Sequence, residues 1–174
     1  MFFLQMAGFP GSGKSTLSKE ISKRTGAIIV DHDVVKSALL TSIGDNRIDN
    51  RAVGAISYTI EWALIDSHLS TGHSVILDSP CFYPEMVEKG VKLSEKHKAK
   101  YKYVECYLND INVVQQRLKN RERVKSQIQQ VESEAAFFHW VENSKRPDTH
   151  EYLVIDSRKP LDSYINDVIT YIHT

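Results

Sequence analysis

One stretch near the N-terminus, Gly8-Phe9-Pro10-Gly11-Ser12-Gly13-Lys14-Ser15, constrains this chain more than any other. It matches the pattern G-x-x-x-x-G-K-[ST], and its context gives the match meaning. An apolar run that reads as a strand, FFLQMAG (2–8), leads into it. A segment that reads as a helix, about Lys14 to Arg24, follows and is ended by Gly26. Glycines at 8, 11 and 13 let the backbone curl into a ring of N–H groups. The helix turns the positive end of its dipole toward the same point. Such a ring holds phosphate, with the triphosphate of ATP expected along 8–16, Pro10 and Ser12 included. Lys14 can reach the β- and γ-phosphates, the Ser15 hydroxyl can ligate Mg²⁺, and Thr16 continues the first turn. The loop alone does not separate kinases from GTPases, motor ATPases or transporters.

The rest of the chain alternates short apolar runs with longer mixed segments. Strands are read at 27–31, 73–78, 101–108 and 152–156. Helices are read at Val34–Leu40, Asp49–Leu69, Pro84 to about Lys98, Asp110–Arg121 and Leu161–Ile172. In the longest helix Val53, Ile56, Ile60 and Leu64 recur at helical spacing, and Trp62 reads as core. Alternating strands and helices predict an α/β fold with three layers: a five-stranded parallel sheet with helices on both faces. At 174 residues the chain is long enough for one such domain, 1–174, without disulfides. The exception to the alternation is 122–147, polar and charged, which predicts a lid insertion at about 121–147. Phe137, Phe138 and Trp140 read as the packing face of a helix there, ahead of a base-stacking platform.

Composition narrows the function classes. With 22 basic and 22 acidic side chains, the formal net charge of zero argues against a polyanion-coating role. Within 96–125, nine basic groups face three acidic ones, and Lys96, Lys98, Lys100 and Lys102 read as a solvated helix end and strand edge. The two cysteines, Cys81 and Cys106, form no metal-type pair, so a reduced, cytoplasmic protein is expected. No apolar run is long enough to span a membrane, and the N-terminus lacks the basic start of a signal peptide.

Three further groups of residues suit chemistry around the loop. The second strand ends Asp31-His32-Asp33, where open α/β sheets bind ligands. Asp33 can hold an acceptor hydroxyl and take its proton, or cap the helix beginning at Val34. Asp31 serves either a water-mediated Mg²⁺ contact or a structural hydrogen bond, and His32 between them is given no role. The third strand closes on Asp78, which can meet the Mg²⁺ shell or the acceptor, or merely shape an Asp-Ser-Pro turn. Arg117 and Arg121, four apart, can bring positive charge to phosphoryl transfer from a mobile flap, or form a solvated basic helix end. Arg123 fits both readings equally. So does Arg158, whose loop can touch adenine or simply turn the chain.

The segments GFPGSGKST, VDHDVVKSAL, VILDSP, RLKNRER and VIDSRKPLDSYINDVITYI carry a resemblance that spans essentially the whole chain. It resembles the small P-loop kinases of the nucleoside-monophosphate-kinase fold. The branch closest in pattern includes chloramphenicol phosphotransferase, zeta toxin and polynucleotide kinase, often labelled an AAA-type ATPase domain. The resemblance implies a sheet order of 2-3-1-4-5. It implies Asp33 as acceptor base, with Lys36 where many relatives carry a substrate-contacting Arg. It implies Arg117 and Arg121 as lid arginines. Lys at 36 weakens bidentate recognition of an acceptor phosphate.

The expectation is therefore an ATP- and Mg²⁺-dependent phosphotransferase acting on a hydroxyl or phosphate of a small acceptor. Lys14, Asp33, Arg117 and Arg121 would carry the chemistry, Ser15 and Asp78 the metal, and Asp31, Asp33, Lys36 and Asp78 the acceptor. The acceptor would lie among Asp33, Lys36, the polar 41–51 segment and residues 79–85. A 5′-hydroxyl polynucleotide fits less well, because the acceptor side lacks a basic cluster. The rival from another class is a nucleotide-driven switch acting through a protein partner. A ring-forming ATPase is disfavoured by length. No guanine-reading Asn/Thr-Lys-x-Asp motif occurs, which favours ATP over GTP.

Overall fold

The computed structural model describes residues 1–44 and 49–174. Five strands, β1 (Phe2–Ala7), β2 (Ile28–Asp31), β3 (Val75–Asp78), β4 (Lys100–Tyr107) and β5 (Leu153–Asp156), form one sheet in the order β2-β3-β1-β4-β5. Every pairing is parallel. The helices are α1 (Lys14–Thr25), α2 (His32–Ile43), α3 (Asn50–Ser70), α4 (Pro84–Lys96), α5 (Ile111–Asn120), α6 (Glu134–Glu142) and α7 (Ile165–His173). A 3-10 turn over Leu161–Ser163 precedes α7, so the closing helix starts later than the sequence predicts. Among the described residues no helix is long and apolar enough to cross a membrane.

β1 occupies the centre because it can be buried on both faces; all six of its residues are. Its side chains alternate. Phe2, Leu4 and Met6 join a core with Leu17 and Ile21 of α1 and Val168 and Ile172 of α7. Phe3 and Ala7 face the opposite core, with Trp62, Ile65 and Leu69 of α3 and Tyr101 and Tyr103 of β4. Gln5 lies on this second face, and both polar atoms of its buried amide have a partner. It donates to Cys81 Sγ at 3.1 Å and accepts from the Tyr101 hydroxyl at 2.9 Å. A third cluster, Leu108, Val114, Leu118, Phe137 and Val141, seats α6 on α5, with Phe9 edge-on to Phe137 at 5.0 Å. Phe137 and Phe138 therefore pack as the sequence predicts, and Trp140 tilts onto Phe82 at 4.4 Å.

α3 departs from the sequence reading. Of the four apolar residues at helical spacing only Val53 is buried; Ile56, Ile60 and Leu64 lie on the outer side. The inward face runs Val53, Ser57, Glu61, Trp62, Ile65 and Leu69. Two polar residues lie on it with partners: Ser57 Oγ donates to the Val53 carbonyl at 2.8 Å, and Glu61 Oε1 meets His32, while Glu61 Oε2 is buried without a hydrogen bond.

The closeness of α4 to the sheet yields a stability test. At Gly90 a Cβ would lie 2.4 Å from Gln5 Oε1 and 3.0 Å from both Phe3 and Tyr101. Helix propensity alone favours alanine over glycine by about 1 kcal/mol. Overpacking against a tethered amide and two rings reverses that, since such insertions cost about 1–3 kcal/mol. Gly90→Ala is thus expected to lower unfolding free energy by about 1 kcal/mol or more in denaturant melts.

Candidate active site

The phosphate loop is held open by the chain itself. Gly8 (φ 131°) sits where a Cβ would strike the Cys106 carbonyl oxygen at 2.5 Å and Ser12 Oγ at 2.6 Å. Gly13 (φ 98°) takes the N-cap position of α1, and no side chain caps that helix. The first-turn N–H groups are left for a ligand. Lys14 folds back over the loop. Its Nζ donates to the carbonyls of Gly8 at 2.8 Å and Phe9 at 3.2 Å. Burial lowers its pKa, while the nearby charges of Asp78 and Asp33 oppose that shift.

Two buried polar atoms at this site have no protein partner: Ser12 Oγ in the loop and Arg121 Nε beside it. Unsatisfied donors inside a cradle that a Cβ at Gly8 would fill fit a phosphate chain, whose oxygens can accept from both. Asp78 is 4% exposed and accepts from Ser18 Oγ at 3.0 Å. Ser18, one turn beyond Ser15 on α1, also donates to the Ser15 carbonyl at 3.2 Å. The sequence reading gave Ser18 no role, although its spacing from Ser15 places both on one helical face. Ser15 and Asp78, linked through Ser18, suit a hydrated Mg²⁺. Among the described residues no cluster of three or more His, Cys, Asp or Glu could hold a metal outright.

The two aspartates after β2 divide their tasks. Asp31, not Asp33, caps α2: its carboxylate accepts from the backbone N–H groups of Asp33 at 2.8 Å and Val34 at 3.2 Å. Of its two sequence readings the structure shows the structural bond. Asp31 pairs in register with Asp78 on β3, and burial, then the Asp78 charge, raise its pKa above 3.8. Freed from capping, Asp33 points elsewhere. Its Oδ1 accepts from Ser126 Oγ at 2.9 Å and its Oδ2 from Gln127 Nε2 at 2.9 Å. His32 is buried. Its Nδ1 lies 2.8 Å from Glu61 Oε1, and its ring stacks on Tyr58 at 4.3 Å. The Tyr58 hydroxyl reaches Ser79 Oγ at 3.3 Å, so this chain of contacts ties the start of α2, α3 and the turn after β3 together.

The arginines separate. Arg117 on α5 donates to the Ser157 carbonyl at 2.7 Å and reaches the Gly11 carbonyl at 3.5 Å, joining the loop to the turn after β5. Arg121 lies just past α5 in extended backbone, so the two do not share a helical face as the spacing predicts. It donates to the Ile128 carbonyl at 2.9 Å and feels the charge of Asp33. Arg123 is exposed and reaches the Gln127 carbonyl at 3.4 Å. Arg158 forms a two-point pair with Asp156 at the end of β5. Lys36 is half-buried on α2, one turn beyond Asp33. Cys81 and Cys106 are buried and free, and burial pushes both thiols up to about 12, which leaves them inert near neutral pH. Of the predicted acceptor region, 45–48 lies outside the described residues.

Comparison with known proteins agrees with this arrangement. A family model described as an AAA domain matches residues 4–137. No curated protein matches the chain. Solved structures that share the fold include three kinases. A candidate kinase from Chloroflexus aurantiacus has a TM-score of 0.78 at 18% identity, covering 98% of this chain and 97% of its own. A gluconokinase from Sinorhizobium meliloti has 0.60 at 16%, covering 99% and 91%. The Mycobacterium tuberculosis APS kinase bound to AMPPNP and APS has 0.66 at 15%, covering 99% and 98%.

Asp31 supplies a pH test. A carboxyl whose folded pKa is raised binds protons in the native state that the unfolded chain has released. Stability therefore falls as pH rises from about 3.8 through the raised value. Asp31→Asn keeps the cap and removes the repulsion from Asp78, so it should abolish that part of the decline. Asp31→Ala should cost about 1 kcal/mol through loss of the cap. Denaturant melts at a series of pH values compare all three proteins.

The loop geometry, the strand order and the family match converge on one assignment: the chain belongs to the AAA-domain family and has the fold of the P-loop kinases.

Proposed function

We propose that this protein is a cytoplasmic phosphotransferase that moves the γ-phosphate of Mg-ATP to a hydroxyl of a small acceptor. The observation that carries the reading is Asp33. The structure releases it from helix capping, sets it within the field of Lys14 and Arg121, and puts a hydroxyl against its carboxylate. A carboxylate so placed holds an alcohol and accepts its proton as the alcohol oxygen attacks phosphorus. The proton goes to Asp33, the acceptor oxygen bonds the γ-phosphorus of ATP, and the bond from that phosphorus to the β,γ-bridging oxygen breaks, so that ADP leaves.

Lys14 and the orphaned Arg121 Nε supply positive charge where the transferred group carries negative charge, and Ser12 Oγ donates from the loop. Ser15 and Asp78, with Ser18 between them, would hold the hydrated Mg²⁺, which screens the phosphates. Arg117 braces the loop against the turn at Ser157, and Arg158 stands at that turn. Lys36 and Asp31 line the acceptor side. The 121–147 segment acts as the lid, with α6 anchored through Phe137 and the 124–128 turn over the acceptor site. A closed lid excludes water, which otherwise competes with the acceptor for the phosphoryl group. The solved neighbours described as a gluconokinase and an APS kinase, both small-molecule enzymes by name, support a small acceptor.

Asp33→Asn tests the assignment. ATP affinity should stay within about threefold of wild type, because the phosphate loop is untouched. Transfer of γ-label from ATP to any accepted small molecule should fall by about 100-fold or more, the scale of a general base. Transfer at the wild-type rate would remove Asp33 from the mechanism. ATP hydrolysis with no acceptor labelled across nucleosides, sugars, sugar acids and aminoglycosides would favour a partner-driven switch.

A further inference from the structure

The segment that carries Arg121 also carries the two side chains that touch Asp33. We propose that Ser126 and Gln127 are positioning residues: the 121–128 segment is one bonded unit that orients the Asp33 carboxylate toward the acceptor as it brings Arg121 to the phosphates. The proposal rests on the assignment of Asp33 as the acceptor base.

Each oxygen of Asp33 accepts one hydrogen bond from the turn. Ser126 Oγ donates to Oδ1 and Gln127 Nε2 to Oδ2, both at 2.9 Å. A carboxylate offers about four acceptor positions, so each oxygen stays open to an acceptor hydroxyl with the turn in place. Held at one oxygen, the group could still swing about its Cβ–Cγ bond. Held at both, it keeps one orientation. A proton acceptor works only from such a fixed approach to the attacking oxygen.

The turn is tied to α2 and to itself. Ser126 N donates to Ser37 Oγ at 3.0 Å, and Ser126 Oγ reaches the Asp33 carbonyl at 3.1 Å. Ser37 is buried, one helical turn beyond Asp33. Lys125 Nζ reaches the Leu40 carbonyl at 3.4 Å. Within the segment, Gln127 N donates to the Val124 carbonyl at 3.1 Å, and Val124 N donates to Gln127 Oε1 at 3.3 Å. This last bond aims the glutamine amide: the backbone takes its oxygen, and its nitrogen faces Asp33. Arg121 Nη2 donates to the Ile128 carbonyl at 2.9 Å and closes the segment at its other end. Arg121 Nε stays buried without a partner, and the Asp33 charge acts on the same guanidinium.

One seating therefore sets two groups. With the segment against α2, Arg121 and the oriented Asp33 are ready together. With the segment lifted, Arg121 leaves the phosphates and Asp33 turns freely, so neither group serves attack by water.

Transfer of γ-label from ATP with Mg²⁺ to nucleosides, sugars, sugar acids and aminoglycosides supplies the acceptor on which variants are compared. Ser126→Ala removes one donor. Gln127→Glu keeps the side chain's length and the oxygen that meets Val124 N, and sets an acceptor against Oδ2 in place of the donor. Each should lower kcat by about tenfold or more, the scale of a misplaced reacting group, with KM for ATP within about threefold. Ser126→Thr keeps the hydroxyl and should hold kcat within about threefold of wild type. In an Asp33→Asn background, Ser126→Ala should change kcat by less than about twofold, because a residue that acts through Asp33 has nothing left to position.

The outcomes separate the proposal from the assignment beneath it. Wild-type kcat in either Ser126→Ala or Gln127→Glu, with Asp33→Asn still lowered, overturns the positioning role and leaves the kinase in place. A fall in kcat that adds in full to that of Asp33→Asn, or that comes with a matching rise in KM for ATP, also overturns it, since the turn then acts elsewhere. Transfer to no compound, with free phosphate alone released, overturns the kinase reading and the proposal with it.

Discussion

A buried ammonium inside a backbone ring is the constraint on which the rest of this structure turns. Lys14 is 8% exposed and its Nζ spends two of three donors on the carbonyls of Gly8 and Phe9. Burial disfavours that charge, and carboxylates at the strand ends oppose the penalty from a distance. A cation so placed calls for an anion that can reach it through the mouth of the loop. Everything nearby serves that geometry. The left-handed glycines keep side chains out, the uncapped start of α1 offers its N–H groups, and β1, buried along its whole length, delivers the loop to the sheet's C-terminal edge.

From that edge the chemistry is distributed by register. β2 and β3 pair so that Asp31 and Asp78 end side by side, and each is committed to a partner: Asp31 to the backbone of α2, Asp78 to Ser18 of α1. This commitment frees Asp33. The buried His32–Glu61 contact, stacked on Tyr58, then fixes the peptide between the two aspartates against α3. Removing either member leaves a polar group buried without its partner, so the pair orients the site from behind without reaching its solvent side.

The sequence disclosed the parts that local pattern controls. A glycine-rich turn between a strand and a helix has few physical uses, and five apolar runs separated by helices leave little choice but a parallel sheet. The strand order was not contained in the periodicity; it came with the resemblance and agrees with the pairings. What escaped was set by tertiary pairing. Glu61 and Ser57 turn inward on α3 with a partner each, and hydrophobicity carries no record of that. The sequence reads Asp33 as the cap of a helix from Val34; α2 begins two residues earlier, at His32, and that makes Asp31 the cap. Arg117 and Arg121 fall on one helical face if α5 continues, but it ends at Asn120. Ser126 and Gln127 stand 93 and 94 residues from Asp33, in a polar stretch with no pattern to single them out.

The central claim is that the phosphate loop and Asp33 face the same phosphoryl group. A crystal structure with Mg²⁺, ADP and aluminium fluoride reads this directly. The account predicts the fluoride complex between Lys14 Nζ, withdrawn from the Gly8 and Phe9 carbonyls, and Arg121. Asp33 should lie within one acceptor-sized gap on its far side. Aluminium fluoride bound with Asp33 turned away from it and with no path to phosphorus would contradict it.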